Sequence, residues 1–299
     1  MSVINTGSFP KLLWPGIKRV WGMEYKRNTP VWNKVFESLT SDQAYEEDVE
    51  AVGFGLMAVK TQGGAVSYDT AQQGVVSRYT HLTYGLGYSV TMEEIQDNLY
   101  EKVSMKRATR LARSVYETEE IVHANVLNRA FNSSYAGGDG KELCATDHPS
   151  IAGSQQNELT TAADLSEASL EDMMILINGA TDSRGLKVNI MPKKLIVPRQ
   201  LEFDAARIMK SSLTPDSANN AANVVRGSID EVVMWRYLTD EDAWFVTTDC
   251  PEGLTHYTRM AAEFDEDKEF STKNANYSVV ARWSQGWSNW RGIFGTPGA

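Results

Sequence analysis

The sequence predicts an α+β fold, and three observations carry that reading. A helical pattern runs from Thr91 to Asn132 without Pro or Gly. Extended, hairpin-like runs fill residues 53–90 and 254–294. Between them, residues 165–248 alternate helix and strand, as a compact second lobe would. The 299 residues are 42% apolar and 23% charged, an ordinary globular composition with ample material for a core. That length suits about two lobes.

Residues 1–52 read as an N-terminal arm. Trp14, Trp21 and Trp32 stand among Pro10, Pro15, Pro30, Gly7, Gly16 and Gly22. Pro and Gly interrupt regular structure, while indoles need burial. An extended arm whose aromatics anchor on another surface satisfies both demands; a loop-rich start packed on its own domain is the alternative. Ser41–Val52 reads as a short acidic helix. Residues 53–90 read as an extended loop built as a β-hairpin. Gly63-Gly64 separates two extended runs, the two-residue hairpin signal, and Val75–Tyr84 continues extended with neither face strongly apolar. A lone ribbon is barely stable in water. It gains order on its own domain or on a neighbouring subunit.

The helix over 91–132 opens with Thr91 and Glu94 as a capping box. Ile95, Leu99, Val103, Leu111, Val115, Val122, Val126 and Ala130 form its apolar stripe. Glu93, Glu94 and Asp97 suit the positive end of the helix dipole, and Arg129 suits the other. About forty residues make a rod of roughly 60 Å, several times the ordinary helix length. Lys102, Lys106, Arg107, Arg110 and Arg113 exclude a membrane span. Glu119 breaks the seam a coiled coil requires. What remains is the strut of a large, flat subunit, with a long helix in an ordinary α+β domain as the alternative.

Ser133–Asn157 is a long loop rich in Gly, Ser, Asp and Asn. Leu165–Gly179 reads as a helix capped near Ser166, with Leu170, Met173, Met174 and Ile177 inward. Lys194–Pro198 is a central strand, Leu201–Lys210 a helix, and 211–223 a polar loop. Val224–Val225, Glu231–Tyr237 and Trp244–Thr248 read as strands. Leu254–Phe294 suggests a long hairpin, with Asp265, Glu266, Asp267 and Glu269 at its turn. Trp283, Trp287 and Trp290 read as core residues on strand and turn.

No chemistry stands out. Net charge is −10, which argues against a chain whose task is gripping nucleic acid. Cys144 and Cys250 form no CxxC and read as free thiols in a reducing compartment. The N-terminus carries no basic-then-apolar signal pattern. Cys144 with His148 could make a nucleophile pair, but no orienting third group is apparent. GGDGKEL lacks the flanking residues of a phosphate loop. The acids near 265–269 lack the spacing of a calcium loop and read as a solvated turn. Lys102, Lys106, Arg110 and Arg113 line one flank of the helix. That flank is either a solvated face with pairs such as Arg113–Glu117, or an edge that meets acids of a neighbouring copy.

The order of parts, with the strings KLLWPG, TMEEIQDNLY, NRAF, DGKELCATDHP and LTDEDAWFVTTD, resembles the major capsid proteins of tailed double-stranded DNA phages. The resemblance covers nearly the whole chain. It implies the phage major-capsid fold: an arm (1–52), an extended loop (53–90), a spine helix of a peripheral domain (91–132), a mainly axial domain (133–250), and returning strands of the peripheral domain (251–299). It implies a structural subunit and no enzyme, cofactor or metal. Copies would form the hexamers and pentamers of an icosahedral head around double-stranded DNA, which the acidic chain meets only by non-specific proximity. The portal and possible scaffolding and decoration proteins would be partners, and no membrane is involved. A separate scaffold, or none, is expected. Assembly would occur in the bacterial host cytoplasm and the product would be the virion shell. Candidate inter-subunit contacts are Trp14, Trp21, Lys60, Tyr68, Arg78, Lys102, Lys106, Arg110 and Arg113. Some members cross-link through Lys and Asn, but nothing identifies a partner for Lys60. The alternative within the same fold is a cellular nanocompartment shell with protein cargo. Either way, arm and hairpin are expected to order only when other copies surround them.

Overall fold

A computed structural model describes residues 10–96, 100–213 and 222–299, with the side chains of 10–16, 95–96 and 100–105 excluded. Three sheets organise it. The first has the order β1-β8-β9-β4, where β1 is Glu37–Thr40, β4 Leu82–Val90, β8 Leu254–Lys268 and β9 Ala275–Trp287. β1 runs parallel to β8, and the other pairs are antiparallel. The second has the order β10-β7-β5-β6, from Ile293–Thr296, Trp244–Thr248, Pro192–Val197 and Glu231–Met234. The third is a two-stranded ribbon of β2 (Tyr45–Val52) and β3 (Gln72–Thr80).

Helices cover the sheets. α1 is Pro10–Arg27, α2 Met92–Gln96, α3 Tyr100–Asn128, α4 Glu167–Gly179 and α5 Glu202–Lys210. One core joins α1, α3 and the first sheet through Ile17, Trp21, Leu111, Ala112, Phe264 and Tyr277. A second packs α4 and α5 on the other sheet through Leu170, Met173, Ile177, Leu195, Ile208 and Trp244. The C-terminal half of α3 reaches a third, where Leu127, Trp235, Phe245 and Ile293 meet Trp32 and Phe36. The chain is therefore two helix-on-sheet lobes joined along α3.

Several expectations change. The single helix over 91–132 is not one rod. Glu94 and Arg107 form an ion pair at 3.0 Å. Thirteen residues of straight helix would separate them by about 20 Å, beyond the combined reach of both side chains, so α2 and α3 are not coaxial. Asp97, Asn98 and Leu99 lie outside the described residues. The helix also ends at Asn128 rather than Asn132. Its 29 residues still span about 43 Å.

Residues 10–27 are helical, not an extended arm. Pro10 stands at the first helical position, where its missing N–H costs nothing. Pro15 forfeits a ladder bond near the start. Ile17, Trp21 and Tyr25 follow at steps of four and turn one face inward. Ile17 is wholly buried, and Trp21 stacks between Tyr25 and Phe264.

Ser41–Val52 is not a helix either; Tyr45–Val52 is β2. Its acids alternate, and Glu46, Asp48 and Glu50 turn toward the protein, the period of a strand. The hairpin strands are β2 and β3, so Gly63-Gly64 sits at the far turn of an irregular excursion. The extended run 75–84 breaks at His81 into β3 and β4, which belong to different sheets. Val224–Val225 forms no strand, and the turn of the last hairpin falls at 269–274, leaving Asp265–Asp267 inside β8.

The break in the apolar stripe of α3 also has a physical reason. Glu119 is buried and accepts the Tyr25 hydroxyl at 2.7 Å. Glu120, wholly buried, accepts the Val31 N–H at 2.5 Å and Trp235 Nε1 at 2.7 Å. One turn on, His123 Nε2 meets His256 Nδ1 at 2.9 Å, and Trp32 stacks on His123 with centroids 4.3 Å apart. The seam is polar because it clasps the N-terminal segment.

Candidate assembly surface

The site begins with the chain between β2 and β3. Residues 53–71 form no helix or strand. A collar closes their base: Asp69 accepts the Gly55 N–H at 2.8 Å and Arg184 Nη1 at 2.7 Å, while Arg184 Nη2 donates to the Thr70 carbonyl at 2.6 Å. The backbone N–H groups of Gly55 and Thr70, joined by Arg184, hold the Asp69 carboxyl below its ordinary range. At the far end Gly63, with φ +80°, makes the turn and Gly64 N–H bonds the Thr61 carbonyl at 3.0 Å; only glycine takes that φ without strain.

Beyond the collar the loop leaves its apolar groups in water. Met57 is 99% exposed, Tyr68 96%, Val59 95% and Leu56 85%. The two limbs enclose a gap of about 560 Å³, lined among the described residues by Phe54–Lys60, Ala65–Ser67 and Asp69 alone. Large apolar side chains grouped in water on one loop make it the candidate surface for contact with another macromolecule. Each such side chain contributes about 1.5–3 kcal/mol when fully buried.

The root of the ribbon is rigid by contrast. Asp48 accepts the Tyr257 hydroxyl at 3.1 Å and the Ser288 hydroxyl at 2.5 Å, and Tyr79 and Ser288 lie 2.6 Å apart. Burial and the Asp48 charge push the Tyr257 hydroxyl well up. Glu50 accepts the Ser183 hydroxyl and lies 3.7 Å from Arg291, whose Nε and Nη2 donate to the Thr181 carbonyl and Gln155. A fixed root carries an unpacked tip.

The candidate residues named from the sequence fall into separate places. Lys60 and Tyr68 are exposed on the loop. Arg78, exposed on β3, covers the Tyr45 ring at 3.9 Å and lies 3.8 Å from Glu47. Lys106, Arg110 and Arg113 are exposed on α3, and Arg113 bonds Glu117 at 2.8 Å. Trp21 is inside its own subunit. The side chains of Trp14 and Lys102 lie outside the described residues. Sequence reasoning missed Leu56, Met57 and Val59, all highly exposed, and Arg184, which ties the base of their loop. Period-two acids in β2 were the available signal for the ribbon's true register; nothing local marks Arg184.

The chemical candidates resolve into packing. Cys144 is wholly buried, and burial pushes its thiol well up. His148 does not face it: Nδ1 bonds Asp139 at 2.6 Å, Nε2 bonds Asn157 at 3.0 Å, and the ring stacks on Trp290. Asn157 accepts the Ala145 N–H and donates to the carbonyls of Leu143, Trp290 and Ile293. It pins the 133–157 loop to the last strand. Among the described residues no metal-ligating group of three or more occurs, and no helix is long and apolar enough to cross a membrane.

A family model for phage capsid proteins matches residues 74–295. The fold is similar to the capsid of the cyanophage P-SCSP1u, with a TM-score of 0.61 at 7% identity over 91% of this chain and 88% of that one. It is similar to the capsid of an empty GTA particle, with a TM-score of 0.57 at 12% identity over 90% and 89%. The virus-like particle from Pyrococcus furiosus gives a TM-score of 0.54 at 11% identity over 94% and 98%. No curated protein matches the sequence. A family match across most of the chain, joined to this fold, places the chain in the phage capsid protein family, a structural family not generally enzymatic, as a major capsid protein that forms the shell of a phage-like particle.

Proposed function

We propose that copies of this chain assemble into the hexamers and pentamers of an icosahedral head around double-stranded DNA, each copy laying residues 53–71 on its neighbour. One observation carries the reading: Leu56, Met57, Val59 and Tyr68 are presented to solvent beyond a hydrogen-bonded root, and no apolar surface among the described residues covers them. Burying four such side chains contributes several kcal/mol per contact at about 25 cal/mol per Å². Head-to-tail contacts close into rings, and repeated weak contacts act as effectively intramolecular ones. The lobe of the first sheet with α1 and α3 would be the peripheral domain, and the lobe of the second sheet with α4 and α5 the axial domain. The net charge of −10 suits a lining that meets packaged DNA without gripping it. A portal, and scaffolding or decoration proteins, would complete the head in the bacterial host cytoplasm.

The test is electron microscopy of the purified chain beside a variant lacking residues 56–67. Closed shells from the first and folded, unassembled subunits from the second are expected. Equal shells from both would overturn the role of the loop. A second reading, a nanocompartment shell around protein cargo, rests on the fold shared with the Pyrococcus furiosus particle. Nuclease-protected DNA inside particles recovered from the native source separates the two.

A further inference from the structure

The outer face of α3 carries a row of cations. Lys106, Arg110 and Arg113 are exposed, opposite the buried Ala108, Leu111, Ala112 and Val115. Among the described residues Lys106 and Arg110 have no ion-pair partner, whereas Arg107 is taken by Glu94 and Arg113 by Glu117. The far half of β8 carries a row of the opposite sign. Glu263, Asp265 and Asp267 are exposed on one face, with Phe264 buried between them on the other. Their neighbours across the ladder are Val280, Ser278 and Asn276, none of them charged. β1 pairs β8 only over Thr255–Thr258, so among the described residues no strand lies along the outer edge of the acidic half. Among the described residues Asp265 and Asp267 accept only the N–H of the next residue. The hairpin also carries Lys268 and Lys273, the latter held over the Phe270 ring at 3.7 Å.

Both rows belong to the lobe built on Ala108, Leu111, Phe264 and Tyr277, yet no ion pair joins them within the subunit among the described residues. One step of each row is close in length: Lys106 and Arg110, four apart, rise ~6 Å, and alternate strand residues repeat every ~6.8 Å; Arg113, three residues on, rises a further ~4.5 Å.

We propose that the acidic half of β8 in one copy docks along the Lys106–Arg110–Arg113 face of α3 in a second copy. With β8 of each copy on α3 of the next copy, rather than exchanged reciprocally between two copies, the contact is heterologous and propagates around a ring. It sets register and partner orientation, and it is distinct from the apolar grip of the 53–71 loop. The inference rests on the self-assembly reading.

Two experiments test it. Chains carrying Lys106→Cys and Asp265→Cys, one bearing a mass tag, are mixed and mildly oxidised. A disulfide-linked heterodimer is expected at least tenfold above the level of either chain with the unchanged chain. It should fade at about 1 M salt, where the Debye length is about 3 Å. Separately, K106E/R110E should lower association at least tenfold, and adding D265K/D267K to that chain should restore it. Absence of the heterodimer overturns the proposal. So does failure of the double reversal to recover association in a chain whose circular dichroism is unchanged. Loss of shells on deleting residues 56–67 bears on the loop alone, because the cross-link is read between pairs of copies.

Discussion

The N-terminal segment and the 53–71 loop look alike as sequence and end differently. Both mix Gly with large apolar or aromatic residues, and both are expected to need a neighbour. The first finds its surface inside its own subunit. Trp21 packs on Phe264, and Trp32 stacks on His123. Tyr25 and the Val31 N–H are received by Glu119 and Glu120. The second is tied by one arginine at its base and leaves Met57 and Tyr68 almost fully exposed. The lesson is that an apolar segment is an assembly element only when the subunit provides no groove for it. Composition does not say which case holds.

That contrast can be broken in order of expected effect on the free subunit. Trp32→Ala should destabilise it by about 3–5 kcal/mol in urea unfolding, the range for losing a buried large aromatic. A loss under about 1 kcal/mol would mean the segment is not part of the core.

Acid should loosen the same clasp. Burial holds His123 at about 3 and His256 at about 4, below the ordinary 6.5. A depressed imidazole contributes stability that is complete above about pH 6.5 and is lost as pH falls toward the folded value, by at most about 1.4 kcal/mol per pH unit for each ring. Glu119 and Glu120 are pushed up by burial and oppose this trend: they favour folding most at low pH and lose that contribution as pH rises past about 4.5. The diagnostic is therefore the difference between chains. His256→Asn should flatten the fall in urea midpoint between pH 6.5 and 4, and an unchanged slope would remove the histidines from the clasp.

Tyr25→Phe should cost about 1–2 kcal/mol, because the Glu119 carboxyl loses its hydroxyl donor while still buried. Thermal unfolding would show it as a lower midpoint with the fold intact. Leu56→Ser with Met57→Ser should change free-subunit stability by no more than about 0.5 kcal/mol and yet abolish shells. Normal particles from that variant, seen by negative stain, would place the assembly surface elsewhere.

Much of the fold is legible in the order of residues. The helix at Glu167–Gly179 carries its Ser166 cap and capping box. The KLIVP run is a central strand, β8 and β9 form the last hairpin, and the Trp283 and Trp290 rings are core. At Tyr45–Val52, by contrast, a run of charge mimics a helix. Its acids alternate in and out, and each inward carboxylate finds a hydroxyl or a guanidinium, most of them far along the chain. The loop's exposure is partly legible, since Lys60 and Tyr68 fall in a Gly-flanked stretch. Leu56 and Met57 are not, because an apolar residue in sequence gives no sign of whether a core awaits it.

By itself the sequence determined the α+β class, the inward turn of α3 at Leu111 and Val115, the absence of a membrane-spanning run, and the kinship with phage capsid proteins. These follow from periodicity, composition and local strings, which act within a few turns of chain. The tertiary structure alone decided that Glu119 and Glu120 clasp the N-terminal segment, that Arg184 steadies the loop, and that β3 and β4 part at His81. Each depends on groups brought together from distant positions, where burial and hydrogen-bond geometry, rather than local pattern, choose the partner.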